Sequence, residues 1–118
     1  MSRLLYKICP RGEWTAALAA GRFAGSAVDR ADGFIHFSSV TQVRETAARH
    51  FSGQDDLVLV GVDPDLLPQG LLKWEPSRGG ALFPHLYGPF EVSAAVSAEP
   101  LPWQPGAGHR FPDGFGDA

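Results

Sequence analysis

Two polar side chains, His36 and Ser38, lie two residues apart in the apolar segment 32–39, DGFIHFSS. Successive side chains of a strand point to opposite faces, so this spacing places both on one face, about 6–7 Å apart at the backbone. The strand end before a helix is a common position for ligand sites. We therefore interpret His36 and Ser38 as binding groups. The alternative is a core histidine bonded to a backbone carbonyl beside a capping serine.

A second group of chemically active side chains lies in residues 73–88, KWEPSRGGALFPHLYG. Prolines and glycines punctuate this stretch, which predicts a loop, and loops on a rigid sheet concentrate binding residues. Trp74 and Tyr87 offer flat faces for stacking a base or nicotinamide ring. Glu75 can accept hydrogen bonds from ribose hydroxyls and Arg78 can pair with phosphate, while His85 adds an imidazole. The alternative is a structural loop whose aromatic rings complete the core.

Length and composition favour a single small domain in a reducing compartment. A chain of 118 residues buries about 65% of its unfolded surface. The net charge of −3, without a Lys/Arg cluster, argues against binding to a nucleic-acid backbone but leaves room for one nucleotide ligand. The single cysteine and the lysine at position 7 predict a cytoplasmic protein with no membrane segment.

Apolar periodicity predicts the elements that position these residues. Strands are expected at 4–9, 32–39, 57–62, 71–75 and 91–98, with the continuous apolar run 57–62 as the central strand. Helices are expected at 13–20, ending at Gly21, and after the capping box Ser39–Gln42, ending before Gly53. Residues 22–31 have no sustained period and are predicted to form a long loop.

Strands outnumber helices and do not alternate with them regularly, which favours the α+β class. We predict a small mixed or antiparallel split β-sheet with two short helices in a domain of residues 1–99. A Pro/Gly-rich tail, residues 100–118, is expected to wrap the surface or fray, with Trp103 anchoring its start.

The motifs YKI (6–8), DGFIHFS (32–38), WE (74–75) and FPHLYG (83–88) together resemble a small bacterial family, domain of unknown function 952. That family is similar in fold to the ADP-ribosyltransferase superfamily, which splits NAD in a cleft between two small sheets. The resemblance implies that His36 and Ser38 hold the adenosine-side ribose and the nicotinamide end of NAD. Glu75 and Tyr87 suit the catalytic carboxylate and the stacking ring, although their order along the chain is reversed.

The resemblance implies an enzyme that processes NAD or another nucleotide by cleavage or transfer at the nicotinamide–ribose bond. In that hypothesis Glu75 and His36 are catalytic, and the nucleotide is bound by His36, Ser38, Trp74, Arg78, His85 and Tyr87. The alternative function is a non-catalytic protein that binds a nucleotide or small metabolite in the same cleft.

Two other chemistries receive less support from the sequence. The four histidines show no HxH, HxxxH or HxxE spacing, so no metal site is predicted. Cys9 ends an apolar strand before a proline, where a buried and inert thiol is expected rather than a nucleophile.

Overall fold

A computed structural model describes residues 3–116, with the side chain of Arg78 outside the described part. The elements in these residues are, in chain order, β1 (Leu5–Pro10), α1 (Arg11–Ala20), β2 (Arg22–Phe23), α2 (Ala27–Asp32), β3 (Ile35–His36), α3 (Val43–His50), β4 (Leu57–Val62), β5 (Leu72–Pro76), β6 (Leu82–Leu86), β7 (Phe90–Glu91), β8 (Ala95–Leu101), β9 (Trp103–Gln104) and β10 (Gly108–His109). Short 3-10 turns at Pro64–Leu66, Arg78–Gly80 and Val92–Ala94 complete them.

The first sheet has the order β1-β4-β8 and is antiparallel throughout. All six residues of β4 are buried, which confirms the central strand expected from the apolar run 57–62. Alternate β4 side chains supply two different cores, because neighbouring residues point to opposite faces. Val58 and Val60 pack in one core with Phe37, and Leu57 and Leu59 pack in the other.

The second sheet has the order β3-β6-β5 and is also antiparallel. It meets the first sheet at Tyr6 and Ser38, whose backbones exchange hydrogen bonds of 2.8 and 2.9 Å. Regular pairing of β3 covers only Ile35 and His36, yet the alternation expected for the segment is present. Ile35 and Phe37 are both buried in the core on one side, while His36 and Ser38 line a cleft on the other.

Helices α1 and α3 confirm the two predicted helices with small changes at their ends. The α1 helix begins directly after Pro10 and ends at Gly21, whose left-handed φ of 85° favours glycine. In α3, Val43 and Ala47 are buried as expected. The Gln42 side chain accepts a 3.0 Å hydrogen bond from the Ser39 backbone, which is one half of the expected capping box.

The prediction of a loop over residues 22–31 is wrong. These residues contain β2 and the third helix, α2, so the described chain has three α-helices rather than two. Ser26 and Asp29 form a capping box at the start of α2, and Gly33 ends it with a φ of 88°. Six residues are too few to show a hydrophobic period, and the caps rather than an apolar stripe define this helix.

The prediction of a loop within residues 73–88 is also wrong for residues 82–86, which form β6 at the centre of the second sheet. Pro84 lies inside this strand, and its carbonyl accepts the Phe37 N–H at 3.0 Å. The strand expected at 91–98 is divided: Phe90–Glu91 pairs with β2, and the longer strand begins only at Ala95.

The C-terminal segment packs against α3. Strand β8 continues through the predicted tail boundary to Leu101, and β9 and β10 then form a small hairpin. Half-buried Trp103 contacts the His109 ring edge-on at 5.0 Å. Phe111 and Phe115 lie under the Arg44 guanidinium, with ring centres 4.6 and 5.3 Å away. The described part of the C-terminal segment therefore wraps the surface.

No helix in residues 3–116 has the length and apolar character to cross a membrane.

Candidate functional site

A cleft of about 460 Å³ lies between the two sheets and is closed on one side by α3. Its volume falls in the range that small-ligand pockets occupy. β1, β3, β6 and α3 all contribute to its walls. The lining residues that carry polar or ionisable groups are Tyr6, Lys7, Asp32, His36, Ser38, Thr46, His50, Ser77 and His85.

His36 is held at both ring nitrogens. Its Nδ1 lies 2.6 Å from Asp29 Oδ1, and its Nε2 lies 2.9 Å from Asp32 Oδ2. The backbone N–H of His36 also donates to Asp29 Oδ1 at 3.1 Å. One third of the side chain is exposed (33%), so the ring is half-buried rather than largely buried. His36 therefore lines the cleft in an orientation that the two carboxylates fix.

Asp29 is the centre of a buried polar network. Lys7 Nζ donates to Asp29 Oδ1 at 2.8 Å and lies 2.7 Å from Oδ2, while both residues are almost completely buried. The backbone N–H and hydroxyl of Ser26 donate to Oδ2 at 2.9 and 3.0 Å. Burial by itself raises the pKa of Asp29, but the hydrogen bond from His36 and the charge and hydrogen bond of Lys7 outweigh it and hold the pKa far below its usual range. Asp29 is therefore a permanent anion at neutral pH.

Ser38 lines the same cleft from a buried position. Its hydroxyl shares a 2.9 Å hydrogen bond with Thr46 Oγ1 of α3, and only 4% of the residue is exposed. Thr46 Oγ1 in turn donates to the Gln42 carbonyl oxygen at 3.2 Å. Because α3 positions this hydroxyl pair, the orientation of Ser38 depends on the contact between the helix and the second sheet.

Glu75, His85 and Tyr87 form a second hydrogen-bonded group on the second sheet. Glu75 Oε1 lies 2.8 Å from His85 Nδ1 and accepts the Tyr87 hydroxyl at 2.6 Å. The hydrogen bonds from Tyr87 and then His85 lower the pKa of Glu75. The same hydrogen bond raises the pKa of the Tyr87 hydroxyl. The hydrogen bonds from His85 on β6 and from Tyr87, which follows that strand, therefore favour the ionised form of Glu75.

The Phe34 ring joins the two groups into one continuous surface. It stacks on His85 with centroids 4.1 Å apart and contacts His36 at 4.6 Å and Tyr87 at 5.3 Å. The His36 and His85 rings meet edge-on at 5.7 Å. Phe34 therefore fixes the spacing between the Asp29–His36 pair and the Glu75–His85–Tyr87 group.

The structure brings most of the predicted site residues to one side of the second sheet. His36, Ser38 and His85 line the cleft directly. Glu75 and Tyr87 reach it through His85 and Phe34, and are not themselves part of its lining. They lie on the same side because residues two apart in a strand share a face.

One predicted residue, Trp74, lies on the other face of the second sheet. Trp74 pairs with Pro84 in the strand register, one residue from Glu75, and so projects to the opposite face of the sheet, where it is 48% exposed. The side chain of Arg78 is outside the described part of the chain. The described partners of Glu75 are His85 and Tyr87.

Sequence reasoning missed Lys7, Asp29 and Asp32 as site residues. Asp29 lies in residues 22–31, where the lack of a sustained period predicts a loop, although Ser26-x-x-Asp29 is a capping signal that predicts a helix start. Lys7 gave a second signal, because a lysine within an apolar strand needs a buried partner. No local pattern identifies Asp29 as that partner, since 22 residues separate the two.

Neither the Cys9 thiol nor a metal-binding group is found in this site among the described residues. Cys9 is fully buried, and burial raises the pKa of its thiol to about 12, so the thiolate is not available as a nucleophile. Among residues 3–116, no group of three histidine, cysteine, aspartate or glutamate side chains has a metal-binding arrangement.

A larger cavity of about 580 Å³ is lined by residues of α1, the start of β4 and the end of β8. Its charged side chains include Arg11 and Asp56, which form an exposed ion pair with each other. The smaller cleft is the stronger candidate because it combines buried charge, two hydrogen-bonded histidines and aromatic faces.

Comparison with known proteins places the chain in an uncharacterised family. The family model described as Protein of unknown function (DUF952) matches residues 8–98, and the chain belongs to this family. The resemblance to domain of unknown function 952 is thus confirmed. No curated protein matches the chain.

Solved structures of one relative share the fold. The crystal structure of protein CC0527 from Caulobacter crescentus is 52% identical, covers 91% of this chain and 93% of that chain, and has a TM-score of 0.85. The solution NMR structure of CC0527 is 54% identical over 90% of each chain, with a TM-score of 0.77.

Proposed function

We propose that the cleft between the two sheets binds NAD or a related nucleotide, and that the protein cleaves or transfers at the nicotinamide–ribose bond. The observation that carries the proposal is the position of His36 and Ser38, two residues apart, on the wall of a cleft between two small antiparallel sheets. This is the arrangement implied by the resemblance to the ADP-ribosyltransferase superfamily, whose fold we propose for this chain on the same ground.

Each residue near the cleft has a specific role in this proposal. His36 hydrogen-bonds a ribose hydroxyl, and Ser38 supports the carboxamide of the nicotinamide end. Tyr87, Phe34 and His85 form an aromatic surface against which the ring can stack. Arg78 follows Ser77, which lines the cleft, and we assign it the phosphate. Trp74, projecting from the opposite face, takes no part.

Glu75 is the proposed catalytic carboxylate. Loss of nicotinamide leaves positive charge on the ribose, and an ionised carboxylate near the ribose stabilises that charge. Both described donors to Glu75 use Oε1, so within the described residues Oε2 accepts no hydrogen bond and can face the substrate. The lowered pKa of Glu75 keeps the group in the ionised form that the role requires.

A non-catalytic binding protein is the second candidate. The position of Glu75 favours this candidate, because the Glu75 carboxylate is hydrogen-bonded to two neighbours and does not line the cleft. Such a protein would hold the nucleotide through His36, Ser38 and the aromatic rings and leave the glycosidic bond intact.

Two measurements on the full chain separate the candidates. Isothermal titration with NAD measures binding, and a chromatographic assay for released nicotinamide measures cleavage. Binding with release supports the enzyme, and binding without release supports the second candidate. If NAD produces neither heat nor nicotinamide, both forms of the proposal are wrong.

Glu75→Gln then tests the catalytic carboxylate, because the amide is nearly isosteric and uncharged. We expect nicotinamide release to fall by more than about tenfold, a loss of at least about 1.4 kcal/mol of transition-state stabilisation. Glu99→Gln, an exposed change on β8, is the matched control and leaves release unchanged. Release within tenfold of the parent removes Glu75 from the mechanism.

A further inference from the structure

The two carboxylates on His36 compete for one proton whenever the ring is neutral. A neutral imidazole carries a hydrogen on one nitrogen only, so it can donate to Asp29 or to Asp32 but not to both. The doubly protonated ring satisfies both partners at once. The tautomer of the neutral ring therefore determines which nitrogen can accept a hydrogen bond from a ligand.

The geometry favours donation to Asp29. The Nδ1–Oδ1 distance of 2.6 Å is shorter than the 2.9 Å between Nε2 and Asp32. Asp29 has a side chain that is 1% exposed, against 48% for Asp32. A charge-assisted hydrogen bond is stronger in a buried position than at the solvent boundary. Asp29 is also fixed by Lys7 and Ser26, so it loses no freedom when it accepts the hydrogen bond from Nδ1.

We infer that Asp29 is the positioning residue of the site: it holds neutral His36 as the Nδ1–H tautomer, so that Nε2 accepts a hydrogen bond from a ligand hydroxyl that replaces Asp32. The ligand part of this inference rests on the proposed function. The tautomer part concerns the free protein alone. Other ionisable groups of the surroundings are Lys7 on β1, His50 on α3, Glu75 on β5 and His85 on β6.

Asp32 is suited to leave because it ends the short α2 helix and lies half in solvent. Its described side-chain bond is the one to His36. A ribose hydroxyl can take the same position and donate to Nε2, since a hydroxyl is both donor and acceptor. Buried Asp29 stays in place during this exchange and keeps the ring oriented.

Nitrogen NMR of the ¹⁵N-labelled full chain, recorded at a pH where His36 is neutral, measures the tautomer directly. We expect the wild-type ring to carry its proton on Nδ1, and Asp32→Ala to leave that proton in place. A wild-type ring that carries its proton on Nε2 overturns the inference without any variant.

Lys7→Met/Asp29→Leu removes the buried charges as a pair and keeps similar side-chain volumes, which preserves the fold better than loss of one partner. With Asp32 as the remaining carboxylate beside the ring, we expect the proton to move to Nε2. A ring that stays Nδ1–H in the folded double variant overturns the positioning role. If the double variant does not fold, the wild-type and Asp32→Ala spectra still show which nitrogen of His36 carries the proton, and so test the inference.

Titration with NAD tests the ligand exchange. We expect Asp32→Ala to bind NAD several-fold more tightly than wild type, because the internal competitor is gone, and to keep most of this gain at high salt. A gain that disappears at high salt reports charge repulsion alone and overturns the exchange. If NAD fails to bind either protein while the Nδ1–H tautomer is present, the proposed function is wrong and the role of Asp29 in the free protein stands.

Discussion

His36 combines features that a structural histidine does not need. A core histidine is satisfied by one or two backbone partners, whereas His36 has a buried, permanently charged aspartate at one nitrogen and an exposed carboxylate at the other. Burying the Lys7–Asp29 pair carries a desolvation cost that apolar residues of the same size would avoid. That cost is understandable if the pair serves to orient the imidazole at the wall of a cleft.

His36→Ala should separate ligand binding from folding. We expect the variant to fold, since Asp29 keeps its bonds to Lys7, Ser26 and the backbone of residue 36. Its affinity for NAD should fall by about 1–3 kcal/mol, the worth of a hydrogen bond to a ribose hydroxyl. His109→Ala, which changes a histidine of the C-terminal hairpin, is the control for titration calorimetry. Unchanged affinity with a lower melting temperature indicates that His36 is structural.

Tyr87→Phe should raise the pKa of Glu75. The Tyr87 hydroxyl is the main cause of the lowered pKa, so its loss returns the carboxyl toward its ordinary value of about 4.3. The direction follows because the hydroxyl hydrogen-bonds the charged form. A ¹³C NMR titration of the Glu75 carboxyl measures the change. Trp74→Phe, on the opposite face, leaves the pKa where it is, and an unshifted value in Tyr87→Phe contradicts the 2.6 Å bond.

At the scale of elements, two short segments set the site. Helix α2 carries Asp29 at its first turn and Asp32 at its last residue, so one helix of six residues supplies both partners of His36. Strand β6 sits between β3 and β5 and places His85 opposite His36 in register. A small shift of α2 would separate His36 from its two carboxylates, and a small shift of β6 would separate His85 from Glu75; each of these pairs now lies within 3 Å.

The sequence predicts elements whose signal is local and long enough to repeat. The run 57–62 and the alternation around His36 and Ser38 are such signals, and both are confirmed. Helix α2 is too short to show a hydrophobic period. Pro84 makes residues 82–86 resemble a loop, because proline is uncommon inside a central strand. Trp74 could have been assigned correctly, because adjacent strand residues point to opposite faces. The Lys7–Asp29 contact could not, since it depends on tertiary packing across 22 positions.

Ser26→Ala should weaken α2 and destabilise the protein. The Ser26 side chain caps the helix and its hydroxyl donates to Asp29 at 3.0 Å, so its loss removes a cap and one bond of the buried network. We expect a loss of about 0.5–2 kcal/mol in the free energy of urea unfolding, typical of a lost N-cap. Ser52→Ala, at an exposed serine after α3, is the matched control. If Ser26→Ala lowers the free energy of unfolding no more than the control does, the Ser26 cap does not stabilise α2.

At the scale of the whole molecule, the site couples the two sheets. Lys7 belongs to the first sheet and His36 to the second, and Asp29 binds both from a helix that belongs to neither. The Tyr6–Ser38 backbone bridge joins the sheets beside the same cleft. The charge state of Asp29 therefore bears on the stability of the entire fold as well as on the site.

Acid unfolding should report this coupling. Because the pKa of Asp29 is lowered in the folded protein, its contribution to stability is complete above its unfolded pKa of about 3.9 and is lost as the pH falls below that value toward the folded pKa. Over this window one proton taken up on unfolding steepens the fall in the free energy of unfolding by up to about 1.4 kcal/mol per pH unit.

Lys7→Met/Asp29→Leu lacks the Asp29 carboxylate, so its free energy of unfolding should fall less steeply than that of wild type as the pH is lowered. Urea unfolding at a series of pH values measures both slopes. Asp113→Asn, at a side chain that is 98% exposed, should follow the wild-type slope. Parallel curves for wild type and the double variant would mean that Asp29 titrates alike in the folded and unfolded chain, contrary to its place between Lys7 and His36.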